Sequence, residues 1–282
     1  MTAQAESALL AAVERSPRAA AAHDRASWVG LFTADGRIED PVGSRPHVGH
    51  GEIGRFYDTF IGPRDIVFHR DLDIVHGAAV IRDLDLEVSM RPAGLAGSAI
   101  TMTIPAFLRY DLREVNGEWN IAKLCAYWEL PSMMLQFLRN GVSAVPATIQ
   151  LSQGLIRNQR LRGTAGFAAG FRRVGSSRKE LVDTFVAALG TGDKLAAQRV
   201  LSSDAAMTFG DGETAEIAAL VARCPGATAS KLVAAGSTVA ASITSPHGRG
   251  VMFADVARRR NEIRRVRYFP ASSTSDAADK PK

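Results

Sequence analysis

The sequence predicts an α+β fold in which a curved, cone-shaped antiparallel sheet packs on helices. Three observations support this prediction. Segments with helical periodicity come first in the chain, and a run of alternating apolar and polar segments follows from residue 66 to residue 130. The same order then starts again near Lys179, over a shorter length. We therefore expect two tandem related domains, each with helices on one face of a sheet.

The N-terminal helices are predicted from apolar periodicity. The segment Ser7–Arg15 is amphipathic, and we expect it to end near Pro17 because proline disrupts helix interiors. Helical spacing continues over residues 19–34. A short strand over Gly36–Asp40 and a helix over about residues 51–61 follow.

Four longer strands follow, separated by segments rich in turn-forming residues. The strongest turn signal is Asn116-Gly117, a dipeptide typical of two-residue hairpins. The predicted strands are Ile66–Val75, Ala78–Met90, Ser98–Val115 and Glu118–Leu130.

The predicted domain boundaries follow changes in composition. We expect a cone domain with a pocket over residues 1–130, a helical connector over 131–178 and a second, degenerate cone domain over 179–270. Residues 271–282 are rich in Ser, Asp and Lys, which predicts a disordered tail. An offset of 169 residues places Phe209 at the position of Asp40, so the second domain lacks that acid.

The composition, 46% hydrophobic and 22% charged over 282 residues, is that of a soluble globular protein. Residues 1–140 carry 14 basic and 18 acidic side chains, whereas residues 141–282 carry 20 and 11. No aromatic residues alternate with the arginines of the basic half, so we expect a solvated surface and no nucleic-acid partner. Without a secretory leader or an apolar run of ~18 residues, we expect a cytoplasmic protein with no membrane partner.

Metal and cofactor sites are not predicted. Cys125 and Cys224 lie far apart in apolar contexts, which favours buried thiols over a disulfide or a metal site. Asp83, Asp85 and Glu87 form a carboxylate row that we expect to face outward, either toward solvent or toward a dimer partner. Arg82, on the opposite parity, is either a strand-end residue or a buried ion-pair partner.

One acid stands on an apolar strand face. Ile38 and Asp40 share one side-chain parity, while Arg37 and Glu39 share the other. A carboxylate in apolar surroundings loses solvation, which raises its pKa and suits it to general-base chemistry. The alternative is that Asp40 only accepts backbone N–H groups of the loop that follows it.

The strings LFTADGRIEDPVGSRPHVG and IGRFYDTF resemble the nuclear transport factor two-like superfamily. Residues 5–130 are most similar to its ketosteroid isomerases and SnoaL-like polyketide cyclases. The resemblance implies a cone-shaped domain that needs no cofactor. It also implies that Asp40 is the general base, which moves a proton between carbons of a ketone.

The resemblance places the two expected oxyanion donors at Ser16 and Ala106, so both donors are missing. Loss of one such donor costs ~10²–10³ in rate. Tyr57 and Tyr110 are the candidate replacements, with a core role as the alternative for each.

The predicted substrate-binding residues combine the resemblance with strand parity. His69 is either an acid–base partner of Asp40 or a surface residue, and Trp128 is either a pocket or a core residue. The full set is Trp28, Phe60, His69, Leu86, Leu108, Trp128 and Met134.

Two functions are open at this point. The first is a cofactor-independent isomerase or lyase that acts on a hydrophobic, steroid-like or polyketide-like ketone. The second is a non-catalytic module that binds a small hydrophobic ligand or another protein. Either function is compatible with a homodimer or with an internal pseudo-dimer, in which the second domain replaces a partner subunit.

Overall fold

A computed structural model describes residues 2–90, 100–129, 176–257 and 261–271. The chain divides into two compact units. The N-terminal unit holds residues 1–71 and 77–172, and the C-terminal unit holds residues 173–282 with the short segment 72–76. Each unit contains a six-stranded sheet packed with helices, which confirms the α+β fold class. Met134 and nearly all of the predicted connector and tail lie outside the described residues.

The N-terminal unit begins with helices and continues into a mostly antiparallel sheet. Its helices are α1 (Ala3–Ala21), α2 (Arg25–Gly30), α3 (Gly49–Phe56) and the π-helical turn Tyr57–Ile61. Its strands are β1 (Phe32–Glu39), β2 (His47–Val48), β3 (Asp65–His76), β4 (Ala79–Met90), β5 (Ile100–Val115) and β6 (Glu118–Trp128). The strand order across the sheet is β2-β1-β6-β5-β4-β3.

Helix α1 continues through Pro17, so the predicted end of this helix is wrong. The buried face of α1 extends on both sides of the proline, through Leu9, Val13, Ser16 and Ala20. Packing of this face offsets the one backbone hydrogen bond that proline cannot donate.

The predicted helical stretch over residues 19–34 is shorter in the structure and gives way to β1. Asp24 begins α2 by accepting the N–H of Ser27 at 2.9 Å. Strand β1 then starts at Phe32 and pairs in parallel with β6, as far as Glu39 beside Cys125. Asp40 therefore lies directly after β1, next to the last residues of β6.

The hairpin between β5 and β6 has the predicted Asn-Gly turn. Asn116 and Gly117 have φ values of 52° and 82°, the left-handed conformation that a tight turn between twisted strands requires. Val115 pairs with Glu118 across the turn. This turn and the register shift between Asp111 and Leu112 together bring Ala106 opposite Trp128.

Arg82 is a buried ion-pair partner, the second of the two predicted interpretations. Arg82 is only 1% exposed, and its Nη2 donates to Oε2 of Glu14 at 3.1 Å. Asp83 is also 1% exposed, so the predicted outward, solvated row is wrong at that position. Both faces of β4 are covered over residues 79–84, and only beyond them do Asp85 and Glu87 become half-buried.

The C-terminal unit repeats the order of helices followed by strands. Its helices are α4 (Ser176–Thr191), α5 (Lys194–Arg199) and α6 (Ile217–Arg223). Its strands are β7 (Leu201–Phe209), β8 (Glu213–Thr214), β9 (Thr228–Ala235), β10 (Thr238–Ser245), β11 (Gly248–Val256) and β12 (Ile263–Pro270). The sheet order β8-β7-β12-β11-β10-β9 matches that of the first unit. Among the described helices, none has the length and apolar character needed to cross a bilayer.

The parallel strand pair of each sheet contains a register shift, and the two shifts lie at the predicted offset of 169 residues. In the parallel pair β1–β6, the register shifts between Phe32 and Arg37. In the parallel pair β7–β12, it shifts between Leu201 and Ala206. Subtracting the residue numbers gives 169 in both cases, so the repeat extends to the detailed backbone register.

The same offset relates the helix that precedes each first strand. Asp24 begins α2 and Asp193 begins α5, and each accepts a backbone N–H from the third residue after it. Asp40 of the first unit then corresponds to Phe209. The C-terminal unit therefore repeats the backbone plan with an aromatic side chain in place of the acid.

Replacing Glu14 should destabilise the N-terminal unit, because it leaves the buried Arg82 guanidinium with one partner fewer. For Glu14→Gln we expect a loss of about 1–3 kcal/mol in the free energy of unfolding. Glu6→Gln is the matched control, since it makes the same chemical change in the same helix. Urea unfolding followed by tryptophan fluorescence reports on this unit alone, because the three tryptophans are Trp28, Trp119 and Trp128. Equal losses in the two variants would contradict a specific role for the ion pair.

Candidate active site

A cavity of about 150 Å³ lies within the N-terminal unit, between its helices and the sheet. Its wall is mostly apolar, and four residues add a hydroxyl or charged group to it: Ser16, Asp40, Arg64 and Tyr110. The other lining residues are Ala20, Trp28, Phe56, Phe60, Ile61, Ile66, Phe68, Leu86, Val88, Met90, Met102, Ile104, Leu108, Leu124 and Trp128.

Strand alternation explains the sheet side of the cavity. On β5 the lining residues are Met102, Ile104, Leu108 and Tyr110, which all have even numbers and so share one face. Facing pairs such as Val88 with Met102 continue this face onto β4. The apolar wall therefore results from the period of two in the sequence.

Asp40 joins the cavity at the end of β1. The indole Nε1 of Trp128 donates a hydrogen bond to Oδ1 of Asp40 at 2.5 Å. Asp40 keeps some accessible surface, and it is one of the residues that line the cavity. Burial raises the pKa of Asp40 to about 6, against the opposing effect of the Trp128 hydrogen bond.

The loop after Asp40 satisfies its donors elsewhere. The N–H of Gly43 donates to Glu39 at 2.9 Å, and the N–H of Val48 donates to Glu52 at 3.0 Å. Among the described residues, Trp128 is the donor to Asp40. The alternative role of Asp40, as an acceptor for this loop, therefore has no support in the hydrogen bonds of the structure.

Ser16, Ala106 and Tyr110 occupy the region in which oxyanion donors were sought. Ser16, on α1, and Tyr110, which is 1% exposed, both line the cavity. Ala106 shares the face of Tyr110 on β5 but is not a lining residue, and it brings no donor. Tyr110 is thus the predicted replacement donor that the structure brings to the same cavity as Asp40.

Tyr57, the other predicted donor, does not line the cavity. It is buried against Trp28, with ring centroids 5.4 Å apart, and Trp28 is itself a lining residue. Its hydroxyl has no hydrogen-bond partner within the described part of the chain. Burial raises the pKa of Tyr57. Tyr57 therefore packs behind the cavity wall.

The remaining predicted residues divide between the cavity and the surface. His69 has an exposed side chain (54%) and pairs with Glu87 at 3.1 Å, as the surface alternative predicts. Five predicted residues line the cavity: Trp28, Phe60, Leu86, Leu108 and Trp128.

Sequence reasoning missed Arg64. This residue follows the π-helical turn and precedes β3, and it lines the cavity together with Ile66 and Phe68. The three residues share one parity, but Val67 on the other parity is apolar too, so the sequence did not mark the inward face of this strand.

Metal ligands do not converge in the described ranges, where no group of three His, Cys, Asp or Glu side chains could hold an ion. Cys125 and Cys224 are both buried free thiols, as predicted. The charged and hydroxyl groups on the described cavity wall are one carboxyl group, one guanidinium and two hydroxyl groups.

Comparison with protein families finds a match to part of the chain. Residues 8–98 match the model of the nuclear transport factor 2 (NTF2) domain. The match spans 91 of the 282 residues, about a third of the chain. This finding agrees with the predicted superfamily, and it places Asp40 and Arg64 within the matched stretch. The comparison with curated proteins finds no match.

Several solved structures resemble about half of the chain. A Mycobacterium tuberculosis protein in complex with estradiol-17beta-hemisuccinate is 24% identical, over 44% of this chain and 95% of its own, with a TM-score of 0.38. A Δ5-3-ketosteroid isomerase from Mycobacterium sp. is 25% identical, over 44% and 94%, with a TM-score of 0.38. A putative SnoaL-like polyketide cyclase from Shewanella putrefaciens CN-32 is 16% identical, over 46% and 96%, with a TM-score of 0.41.

The raised pKa of Asp40 predicts a pH-dependent stability. The folded state holds the Asp40 proton up to about pH 6, whereas the ordinary value is 3.8. The folded state thus binds more protons between these values, so the contribution of Asp40 to stability falls as the pH rises through them. Relative to the wild type, Asp40→Asn should gain about 2–3 kcal/mol between pH 4 and pH 7.5.

Urea unfolding followed by tryptophan fluorescence, at pH 4 and pH 7.5, measures this difference. Glu114→Gln is the control, because it removes an exposed carboxyl group from the same sheet. A difference between the wild type and Asp40→Asn that does not change with pH would show that Asp40 has an ordinary pKa.

Proposed function

We propose that the N-terminal unit is a cofactor-independent isomerase or lyase of hydrophobic ketones, with Asp40 as its general base. The observation that carries this proposal is the carboxyl group of Asp40, with a pKa raised to about 6, on the wall of an apolar cavity. Such a base is ionised at neutral pH, and its proton affinity is higher than that of a solvated carboxylate.

The proposed reaction moves one proton and one double bond. A carboxylate oxygen of Asp40 removes a proton from the carbon next to the ketone. The electron pair of that C–H bond passes to the carbonyl oxygen and forms a dienolate. Asp40 then returns the proton to a carbon further along the conjugated system, so the double bond moves and nothing is consumed. The hydrogen bond from Trp128 to Oδ1 holds the carboxyl group in place and leaves Oδ2 for the proton.

The dienolate oxygen needs donors placed where its charge develops. Tyr110 supplies the phenolic hydroxyl in this proposal, and Ser16 supplies a second, weaker donor from α1. Both residues line the same cavity as Asp40. A phenolic hydroxyl is a hydrogen-bond donor, which is the role that Tyr110 has toward the oxygen in this proposal.

The cavity volume limits how much of a substrate is enclosed. A dry apolar cavity of ~150 Å³ holds a benzene-sized molecule. A single ketone-bearing ring therefore fits the described cavity of about 150 Å³, and a larger steroid-like or polyketide-like ketone would extend through the opening. The proposed substrate class is a hydrophobic ketone with its reactive ring innermost.

Turnover of two β,γ-unsaturated ketones tests the proposal. We expect the wild type to convert 3-cyclohexen-1-one and 5-androstene-3,17-dione into the conjugated enones, with an increase in ultraviolet absorbance. The rate should rise with pH through about 6, because the ionised form of Asp40 is the base. Asp40→Asn should lower the rate by a factor of ~10² or more. An unchanged rate in this variant would refute the assignment of the base.

The two tyrosines form a matched pair of variants for the oxyanion donor. Tyr110→Phe should lower the turnover number by ~10–10³, because it removes a donor at the developing charge. Tyr57→Phe should leave the turnover number unchanged, since its hydroxyl does not reach the cavity. The reverse pattern would assign the donor role to Tyr57 instead.

A non-catalytic binding module is the second candidate function. Ala106 favours it, because that position brings no hydrogen-bond donor to the face it shares with Tyr110. If this function is correct, both ketones bind without conversion, and Asp40→Asn binds them as tightly as the wild type. Equilibrium binding measured alongside turnover separates the two functions.

A further inference from the structure

Arg64 brings a guanidinium group to the apolar cavity. The residue is half-buried, and its Nη1 donates to the carbonyl oxygens of Thr59 and Phe60 at 2.7 and 2.8 Å. The guanidinium carbon lies 5.9 Å from the centre of the Phe60 ring. These contacts hold the side chain against the π-helical turn.

No carboxylate pairs with Arg64 within the part of the chain that the structure describes. Its Nε and Nη2 groups make no hydrogen bond to the described residues either. Burial lowers the pKa of Arg64 to about 10, so the group stays charged at neutral pH. A cation in apolar surroundings is costly unless an anion or several acceptors compensate it.

Asp40 follows β1 and Arg64 precedes β3, so the two residues lie at the same end of the sheet but on strands that β6, β5 and β4 separate. Strands β3 and β4 are neighbours joined by a short turn, so the start of β3 lies beside the end of β4. Val88, near that end, pairs with Met102 on β5, whereas Trp128, which holds Asp40, pairs with Ala106. Met102 and Ala106 are four residues apart on β5, which corresponds to about 13 Å along the strand.

We propose that the natural ligand is a hydrophobic acid, whose carboxylate binds Arg64 while its ketone-bearing ring lies near Asp40. The unused Nε and Nη2 edge of Arg64 presents two parallel N–H groups, the geometry that binds a carboxylate through both oxygens. The inference rests on the proposed function to the extent that the cavity must bind a hydrophobic ligand. Beyond that, it specifies that the ligand carries a negative charge and that its carboxylate and its ketone are well separated.

A purely local role for Arg64 is the competing explanation. By donating to two carbonyl oxygens, its Nη1 satisfies acceptors near the end of the π-helical turn, as basic side chains do at helix C-termini. That role uses one nitrogen and predicts no preference for anions. The two roles therefore differ in how ligand charge affects binding.

Two fluorescent probes of similar size test the proposal at pH 8 in the full-length protein. 1-Anilinonaphthalene-8-sulfonate is anionic, with the sulfonate standing in for a carboxylate, and N-phenyl-1-naphthylamine is its neutral counterpart. We expect the wild type to bind the anionic probe at least ~10-fold more tightly, as a charge-assisted pair would give. Arg64→Gln should abolish this preference and leave the affinity for the neutral probe unchanged.

Two further variants serve as controls. Arg37→Gln removes an exposed arginine of β1 and should keep the preference, which excludes a general effect of net charge. Arg64→Lys keeps the charge without the parallel N–H pair and should retain part of the preference.

The outcomes separate this inference from the proposed function. If the wild type binds both probes equally, the inference is overturned, while the cavity still binds hydrophobic ligands. If Arg64→Gln loses both probes together, or keeps the preference, Arg64 has only a local role and the inference is again overturned. If the wild type binds neither probe, the proposed binding function fails as well.

Discussion

The hydrogen bond from Trp128 to Asp40 is the contact on which the site depends. It joins the residue after β1 to the last residue of β6, so the parallel pairing of these strands fixes where the carboxyl group lies. Burial raises the pKa of Asp40 and this single donor lowers it, with burial the larger effect. Further donors would lower the pKa of Asp40 and make it a weaker base. Among the described residues Asp40 has one donor, and this small number of donors keeps its pKa raised.

The internal repeat shows that the backbone plan alone does not make the site. Both units share the strand order, the register shift in the parallel pair and the aspartate at the helix start. Yet Phe209 occupies the position of Asp40, next to Tyr268 in the pairing of β7 and β12. The side chain of Phe209 is apolar and larger than the carboxyl group at the corresponding position. One architecture thus supports a candidate site in the first unit and a different interior in the second.

Much of the site was predictable because strands alternate. Parity alone oriented Asp40 inward and placed Leu108 and Tyr110 on one face. Parity did not decide which face of β3 lies inside, since Val67 and Phe68 are both apolar. The inward face carries Phe68, which left His69 at the surface. The direction of Tyr57 was not predictable from helical spacing either, because it begins a π-helical turn, where residues per turn differ from an α-helix.

The positions of Asp40 and Arg64 determine what each can contribute to a reaction. Arg64 lies far from the proposed reacting carbon, so its attraction for a ligand is nearly the same in the ground state and the transition state. Such uniform binding lowers KM without raising kcat, unless it orients the reacting ring against the base. Acceleration of the chemical step must come from Asp40 and from donors beside the ketone oxygen. In the proposed reaction Ala106 gives no donor, so Tyr110 and Ser16 would set the limit on that acceleration, and Arg64 would select the ligands that bind.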